Sequence, residues 1–174
     1  INAVAQEHGL VVIEDCAHAI YAQYKGQYAG TLGDIGVFSF QQSKQMALGD
    51  AGMVLCKSAE HRQTMYEMMT FGTIPKRIGW NYRINEVVSA IGLVQLKRAR
   101  HYADICMESA AHYNEAVAGL EQLVAPQHVP EDRVNTYHIW TALFEGDKVG
   151  VDYEEFKQAH AEAGLGFNFG YIEK

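Results

Sequence analysis

An acid, a hydroxyl and an amine recur at intervals that could do chemistry together. Asp15 closes the apolar run Leu10-Val11-Val12-Ile13-Glu14, Ser39 stands between Phe38 and Phe40, and Lys44 follows four positions beyond Phe40. A carboxylate at the end of an apolar strand is drawn out of water, which is costly unless it meets a partner. Asp15 therefore reads as a carboxylate awaiting a cation, and a protonated ring nitrogen that serves as an electron sink would do. A loop acid or a helix N-cap is the plainer alternative. A lysine in a partly buried position gives up its proton more readily, because desolvation disfavours the ammonium, and the free amine can form an imine with an aldehyde. A surface lysine is the commoner case. Ser39 could ligate a phosphate or bond only to backbone. Each signal is weak alone; an acid after one strand and Ser…Lys after the next is more specific.

Those residues need elements to hold them. Residues 1–8 read as the tail of a helix stopped by Gly9. Leu10 to Glu14 reads as a buried parallel strand, because it is apolar throughout rather than alternating. Asp15 to Gly33 reads as loop with at most a short helix, followed by strands at 37–40 and 52–56. Between these, Gly49-Asp50-Ala51-Gly52 is a turn that reverses the chain. Ser58 is the expected N-cap of a helix over 58–70, and residues 72–85 are irregular. Asn85 is expected to cap a long helix from Glu86 to about Leu120, with Val87, Ile91, Val94 and Ala99 as its buried stripe and Lys97, Arg98 and Arg100 in solvent. Tyr137 to Phe144 reads as a strand, and Asp152 to Ala163 as an amphipathic helix ended by Gly164. Strand–helix alternation implies an α/β fold with a mostly parallel sheet, in which ligands bind at the carboxyl ends of the strands. Asp15, Ser39 and Lys44 all fall at or just past such ends. A domain boundary is expected inside the long helix, giving 1–105 and 106–174.

Composition narrows the function classes. The 174 residues are 48% hydrophobic and 20% charged, with a formal net charge of -7. That balance excludes disorder, and an acidic chain is a poor general binder of nucleic acid, whose affinity rests on Lys and Arg. No apolar run is long enough to span a bilayer. Cys16, Cys56 and Cys106 are odd in number and widely spaced, unlike a disulfide framework or a zinc site, so they are expected to be reduced, mostly buried thiols in a cytoplasmic protein. The eight histidines show no metal-binding spacing. The basic run 97–101 reads as a solvated helix face. Because the chain opens on Ile1 within a helix tail, it is expected to be a piece of a longer protein.

Longer stretches carry a resemblance. Glu14-Asp15-Cys16-Ala17-His18-Ala19, the run Gly30 to Phe40, Lys44 with Gly49-Asp50-Ala51-Gly52, and Gly79-Trp80-Asn81-Tyr82-Arg83 followed by Ala90-Ile91-Gly92 closely resemble the DegT/StrS family. These are sugar and aminocyclitol aminotransferases of the pyridoxal-phosphate fold type I. The resemblance is order-preserving over nearly the whole chain. It implies part of the large cofactor-binding domain plus the start of the small C-terminal domain, with pyridoxal 5'-phosphate as cofactor. Lys44 matches the Schiff-base lysine, Asp15 the acid on the ring nitrogen, His18 a position near the ring and Ser39 a phosphate-binding hydroxyl. Asn81 matches a residue given to the phosphate of the neighbouring subunit, which implies a homodimer, and Arg83 stands near that interface. A satisfied core histidine is the plain alternative for His18.

The implied reaction moves nitrogen from glutamate or glutamine to a keto sugar or keto-cyclitol, and Gln41 to Met46 looks most like the aminocyclitol branch. Ala51, Ala47 and Tyr21 depart from the pattern, standing where Gly, Thr or Ser, and Gly are usual; Tyr21 is expected to narrow the pocket. Family members are roughly twice this length, so the phosphate loop and the aromatic that stacks on the ring are expected outside this sequence. Two other readings stand. One is a dehydratase of the same family, which carries histidine at the lysine position. The other is a non-catalytic chain.

Overall fold

A computed structural model describes residues 1–72 and 78–164. The chain divides into two compact units: residues 1–110 with 129–139, and residues 111–128 with the chain from Trp140 onward. The cut falls inside one helix, and the first unit reclaims Val129–Ile139, a return that a single boundary in the sequence does not describe.

The first unit is built on a three-stranded sheet. Helix α1 (Asn2–Glu7) ends near Gly9, whose φ is +63°. Strand β1 (Ile13–Asp15) pairs in parallel with β4 (Ile35–Ser39), which pairs antiparallel with β5 (Gly52–Cys56), giving the order β1-β4-β5. The register sets Asp15 opposite Val37, and Cys16 N–H donates to the Val37 carbonyl at 2.8 Å. Leu10 and Val11 lead into β1, and the Val12 carbonyl accepts from Ile35 N–H of β4 at 3.1 Å. Burial of this strand, expected from its apolar run, does not hold: Ile13 is 62% exposed and Leu10 and Val11 are exposed too. No element among the described residues packs over that face, so an apolar pattern that encodes cover finds none here.

Two short strands occupy the stretch expected to be loop. β2 (Gln23–Tyr24) and β3 (Gln27–Tyr28) form a hairpin turned by Lys25 and Gly26, both at positive φ (50° and 76°). Two consecutive positive φ values are the geometry of a tight hairpin turn, and here Lys-Gly supplies it where Asn-Gly is the usual signal. The hairpin gains a third strand from far along the chain, β7 (Arg133–Val134), antiparallel to β2.

Helix α2 (Ala59–Met69) starts at Ser58, whose Oγ accepts from His61 N–H at 3.0 Å. Helix α3 (Glu86–Ala116) starts at Asn85, whose Oδ1 accepts from Val88 N–H at 2.9 Å. Its buried line is Gly92, Ala99, Ala103 and Ala110. The expected stripe is corrected: Ala99 is wholly buried, but Val87, Ile91 and Val94 are exposed, Val87 by 71%. Small residues let α3 lie close on the core of Phe40, Met46 and Ala99, with Ile20, Tyr21, Phe38 and Leu48 around it. Lys97, Arg98 and Arg100 face solvent.

The second unit has β6 (Val124–Pro126) antiparallel to β8 (Ala142–Phe144), and α4 (Tyr153–Glu162) capped by Asp152, whose Oδ1 accepts from Glu154 and Glu155 N–H. Only residues 142–144 of the strand expected over 137–144 pair. Tyr137 has a φ of 48°, left-handed backbone that no strand tolerates, and its stretch belongs to the first unit.

Close backbone approach explains two glycines. A Cβ on Gly36 would lie 2.6 Å from Gly30 Cα, and one on Gly30 would press into the Phe38 ring, 2.7 Å from Cε2. Gly36→Ala should therefore destabilise the protein by about 2 kcal/mol, since backbone cannot yield as a side chain can. A thermal midpoint unchanged from the unsubstituted protein would show the approach to be looser than this.

Candidate active site

The site is assembled at the carboxyl ends of two neighbouring parallel strands. Partners in register point to one face and alternate residues of a strand share it, so Asp15, Val37 and Ser39 project on the same side of the sheet. Glu14 points the other way, into the loop that follows the hairpin. Its Oε2 accepts from Gly30 N–H at 2.9 Å, and its Oε1 from Leu32 and Gly33 N–H at 2.7 and 2.5 Å. Adjacent acids thus do different work: Glu14 pins residues 30–33 onto β1, and Asp15 is left for the site.

Asp15 is exposed in this chain, not desolvated as its strand-end position suggests, because the face around it is open. Its Oδ1 accepts from Ala17 N–H at 3.0 Å, and Oδ2 accepts nothing among the described residues. Ser39 is half-buried; its Oγ accepts from Gln41 N–H at 3.3 Å and its own proton is uncommitted among them. Both readings of that hydroxyl are therefore met in part: it touches backbone and still has a donor to give.

Lys44 lies in the loop after β4, where its N–H donates to the Gln41 carbonyl at 2.9 Å, and its side chain is half-buried. It makes no ion pair among the described residues. His18 is exposed on the turn after β1, so it is not a core histidine. Its ring stacks on His138, with centroids 4.2 Å apart and planes inclined by 25°. Burial, then His18, then Lys44 lower the His138 pKa.

His138 was not singled out by the sequence. It lies on the returning segment 129–139, held by two long-range bonds. Thr136 Oγ1 donates to the Ile20 carbonyl at 2.8 Å, and Gln45 Nε2 donates to the Thr136 carbonyl at 2.5 Å. Thr136 is almost wholly buried. One signal could have marked the segment: Asn135-Thr136-Tyr137-His138 is a polar and aromatic cluster inside an otherwise strand-like run.

Tyr21 does not stand as a loose plug in the site. Its φ is 60°, which accounts for a glycine being usual there. Its ring packs edge-on against Tyr28, centroids 5.9 Å apart, and beside the buried core.

Asn81 is joined by no bond among the described residues to Asp15, His18 or Ser39. It bridges Thr70 and lines a pocket with Gln41, Asp50, Ala51 and Gly52, the loop that carries Lys44. Arg83 Nε donates to Asn81 Oδ1 at 3.0 Å while its guanidinium covers the Phe71 ring at 4.8 Å. That bond engages the Asn81 side-chain oxygen.

These strand ends, and the order of the residues on them, match one family over residues 1–174, described as the DegT/DnrJ/EryC1/StrS aminotransferase family. The chain belongs to that family. It is 37% identical over 145 residues to the UDP-N-acetyl-3-dehydro-alpha-D-glucosamine 3-aminotransferase of Acidithiobacillus ferrooxidans, covering 80% of this chain and 38% of that protein. It is 35% identical over 138 residues to the GDP-perosamine synthase of Escherichia coli O157:H7, covering 71% and 35%. The crystal structure of DesI in the presence of its TDP-sugar product superposes with a TM-score of 0.82 at 26% identity, over 94% of this chain and 42% of that one. The chain thus has the fold of these pyridoxal-phosphate aminotransferases and spans about two-fifths of the length of such relatives.

Two predictions follow from the carboxylates. Glu14→Gln leaves one acceptor oxygen for three N–H groups and sets an amide against the rest. It should cost about 2 kcal/mol, read as a lower denaturation midpoint. Cys16, buried beside Glu14 and Asp15, has its thiol pushed up to about 11, by burial first and then by those two carboxylates. At pH 8 its alkylation should be at least about 10-fold slower than after denaturation, since the thiolate is the reactive form. Equal rates in the folded and denatured protein would contradict that placement.

Proposed function

We propose that the full-length protein transfers an amino group from glutamate or glutamine to the keto group of a nucleotide-linked sugar, with pyridoxal 5'-phosphate as cofactor. One observation carries the reading: Asp15 and Ser39 share a sheet face at adjacent strand ends, and Lys44, half-buried and without an ion pair among the described residues, lies in the loop that follows.

The donor set fits the cofactor. Asp15 Oδ2 is an open acceptor for a protonated ring nitrogen, Ser39 has a hydroxyl proton for a phosphate, and Lys44 has an amine for an aldehyde. When bound, the cofactor supplies an electron sink for the charge that develops at the carbon exchanging nitrogen. Lys44 Nζ would hold it, and the Lys44 amine would move a proton at the substrate carbon. Asp15 Oδ2 would keep the ring nitrogen protonated. Ser39 Oγ would orient the phosphate, and the side-chain N–H groups of Asn81 would serve the phosphate in the partner subunit of a homodimer. Residues 1–105 are assigned to the large cofactor-binding domain, and 106–174 to the helix continuation and the small domain.

Nucleotide-linked sugars are favoured as acceptors because the relatives described above carry such names. The stretch Gln41 to Met46, which resembles the aminocyclitol branch, marks a keto-cyclitol as the competing acceptor. Lysine at position 44 supports transamination over dehydration, and intact Asp15 and Lys44 support an enzyme over a non-catalytic chain. Three free thiols suit a reducing, cytoplasmic compartment.

The test uses the full-length protein with added cofactor. A visible absorbance band should form, borohydride should fix the cofactor to Lys44, and Lys44→Ala should abolish both. A band that persists in Lys44→Ala rejects the assignment. Glutamate or glutamine should then shift the band, and product formation with a keto nucleotide sugar against a keto-cyclitol identifies the acceptor.

A further inference from the structure

One aromatic contact joins two histidines far apart along the chain. His138 stacks on His18, with centroids 4.2 Å apart and planes inclined by 25°. His18 is exposed on a turn, so without a neighbour its imidazole would be free to rotate about its side-chain bonds. His138 is half-buried and its carrier is over-determined. Thr136 is bonded on both sides, to Ile20 and to Gln45, and Tyr137 between Thr136 and His138 takes left-handed backbone. Asn135 Oδ1 accepts from Tyr137 N–H at 2.9 Å and holds that turn. A left-handed tyrosine is costly, and such strain persists only where the surroundings impose it. Here it turns the chain so that the next residue meets His18. The bond from Gln45 comes from the residue beside Lys44, so the segment that carries His138 is tied to the lysine loop itself.

We propose that His138 is a positioning residue of the Lys44 site: its ring backs His18 and fixes where that imidazole stands, while the segment that carries it is tied through Gln45 to the lysine loop. The inference rests on the reading of Lys44 as the cofactor-binding lysine. Lowering of the His138 pKa by burial, His18 and Lys44 agrees with it, because a neutral ring stacks on its neighbour without the repulsion between two imidazolium ions. An imidazole held in one place constrains a substrate that enters the site; one that rotates does so only part of the time.

The experiment takes full-length protein with histidines labelled at Cε1, as His138→Ala, His138→Phe and Lys44→Ala. In the cofactor-free protein the His18 Cε1–H signal should lose its ring-current shift in His138→Ala and keep most of it in His138→Phe. With cofactor and glutamate or glutamine as donor, His138→Ala should lower kcat about 100-fold with little change in KM, the loss typical of a reacting group misplaced by an ångström. His138→Phe, which keeps a flat ring, should recover most of that rate. An unchanged signal and rate in His138→Ala overturns the proposal, and so does a His138→Phe enzyme as slow as His138→Ala. Should His138→Ala fail to fold, His138→Leu replaces it in the comparison with His138→Phe. Failure of the underlying reading looks different: a cofactor band that survives in Lys44→Ala removes Lys44 from its role whatever the stacked pair does.

Discussion

Everything at the site depends on the parallel register that sets Asp15 opposite Val37. Parallel neighbours finish at the same edge, so the register delivers Asp15 and, two residues on, Ser39 to one face and one end. A slip by one residue would carry Ser39 to the opposite face and bring Phe38 to the site. The backbone guards against this slip. Cys16 continues the ladder by donating to Val37, and Gly36 and Gly30 touch where any side chain would wedge the strand from the loop beneath it. Glu14 reinforces the same contact from below with three accepted N–H bonds. One strand thus supports itself with one acid and presents the next.

The second constraint is topological. Val129–Ile139 leaves the second unit's sequence neighbourhood and returns to the first, adding β7 to the hairpin edge and Thr136 to the core. Closing so long a loop is entropically expensive, though the cost grows slowly with length. A nearly fully buried threonine with both its hydroxyl and its carbonyl bonded, together with a strand ladder, offsets it. What the return achieves locally is the placement of an aromatic ring on His18.

Much of the fold was legible because local signals agree with it. Ser58 and Asn85 cap the helices they precede, and Gly52 to Cys56 is a strand with the bounds its apolar run suggests. The placement of Asp15, Ser39 and Lys44 at or just past strand ends was legible from the spacing. The hairpin was hidden because its turn is Lys-Gly, with a lysine in a backbone region that side chains avoid. The split of 137–144 was hidden because a single left-handed residue ends a strand without leaving a mark in hydrophobicity. His138 was hidden for a stronger reason: its role is a contact between residues far apart in sequence, and no window along the chain contains both.

Burial was misread in a more instructive way. Ile13, Val87, Ile91 and Val94 carry the pattern of covered positions, yet they are exposed among the described residues, whereas the covered line on α3 is Gly92, Ala99, Ala103 and Ala110. A hydrophobic pattern records which faces are covered in the folded assembly, not which neighbour covers them. Relatives such as the GDP-perosamine synthase are more than twice as long as the aligned stretch, so the pattern and these residues alone describe different amounts of protein. The same argument applies to Asp15. Its exposure reflects the open face around it among the described residues.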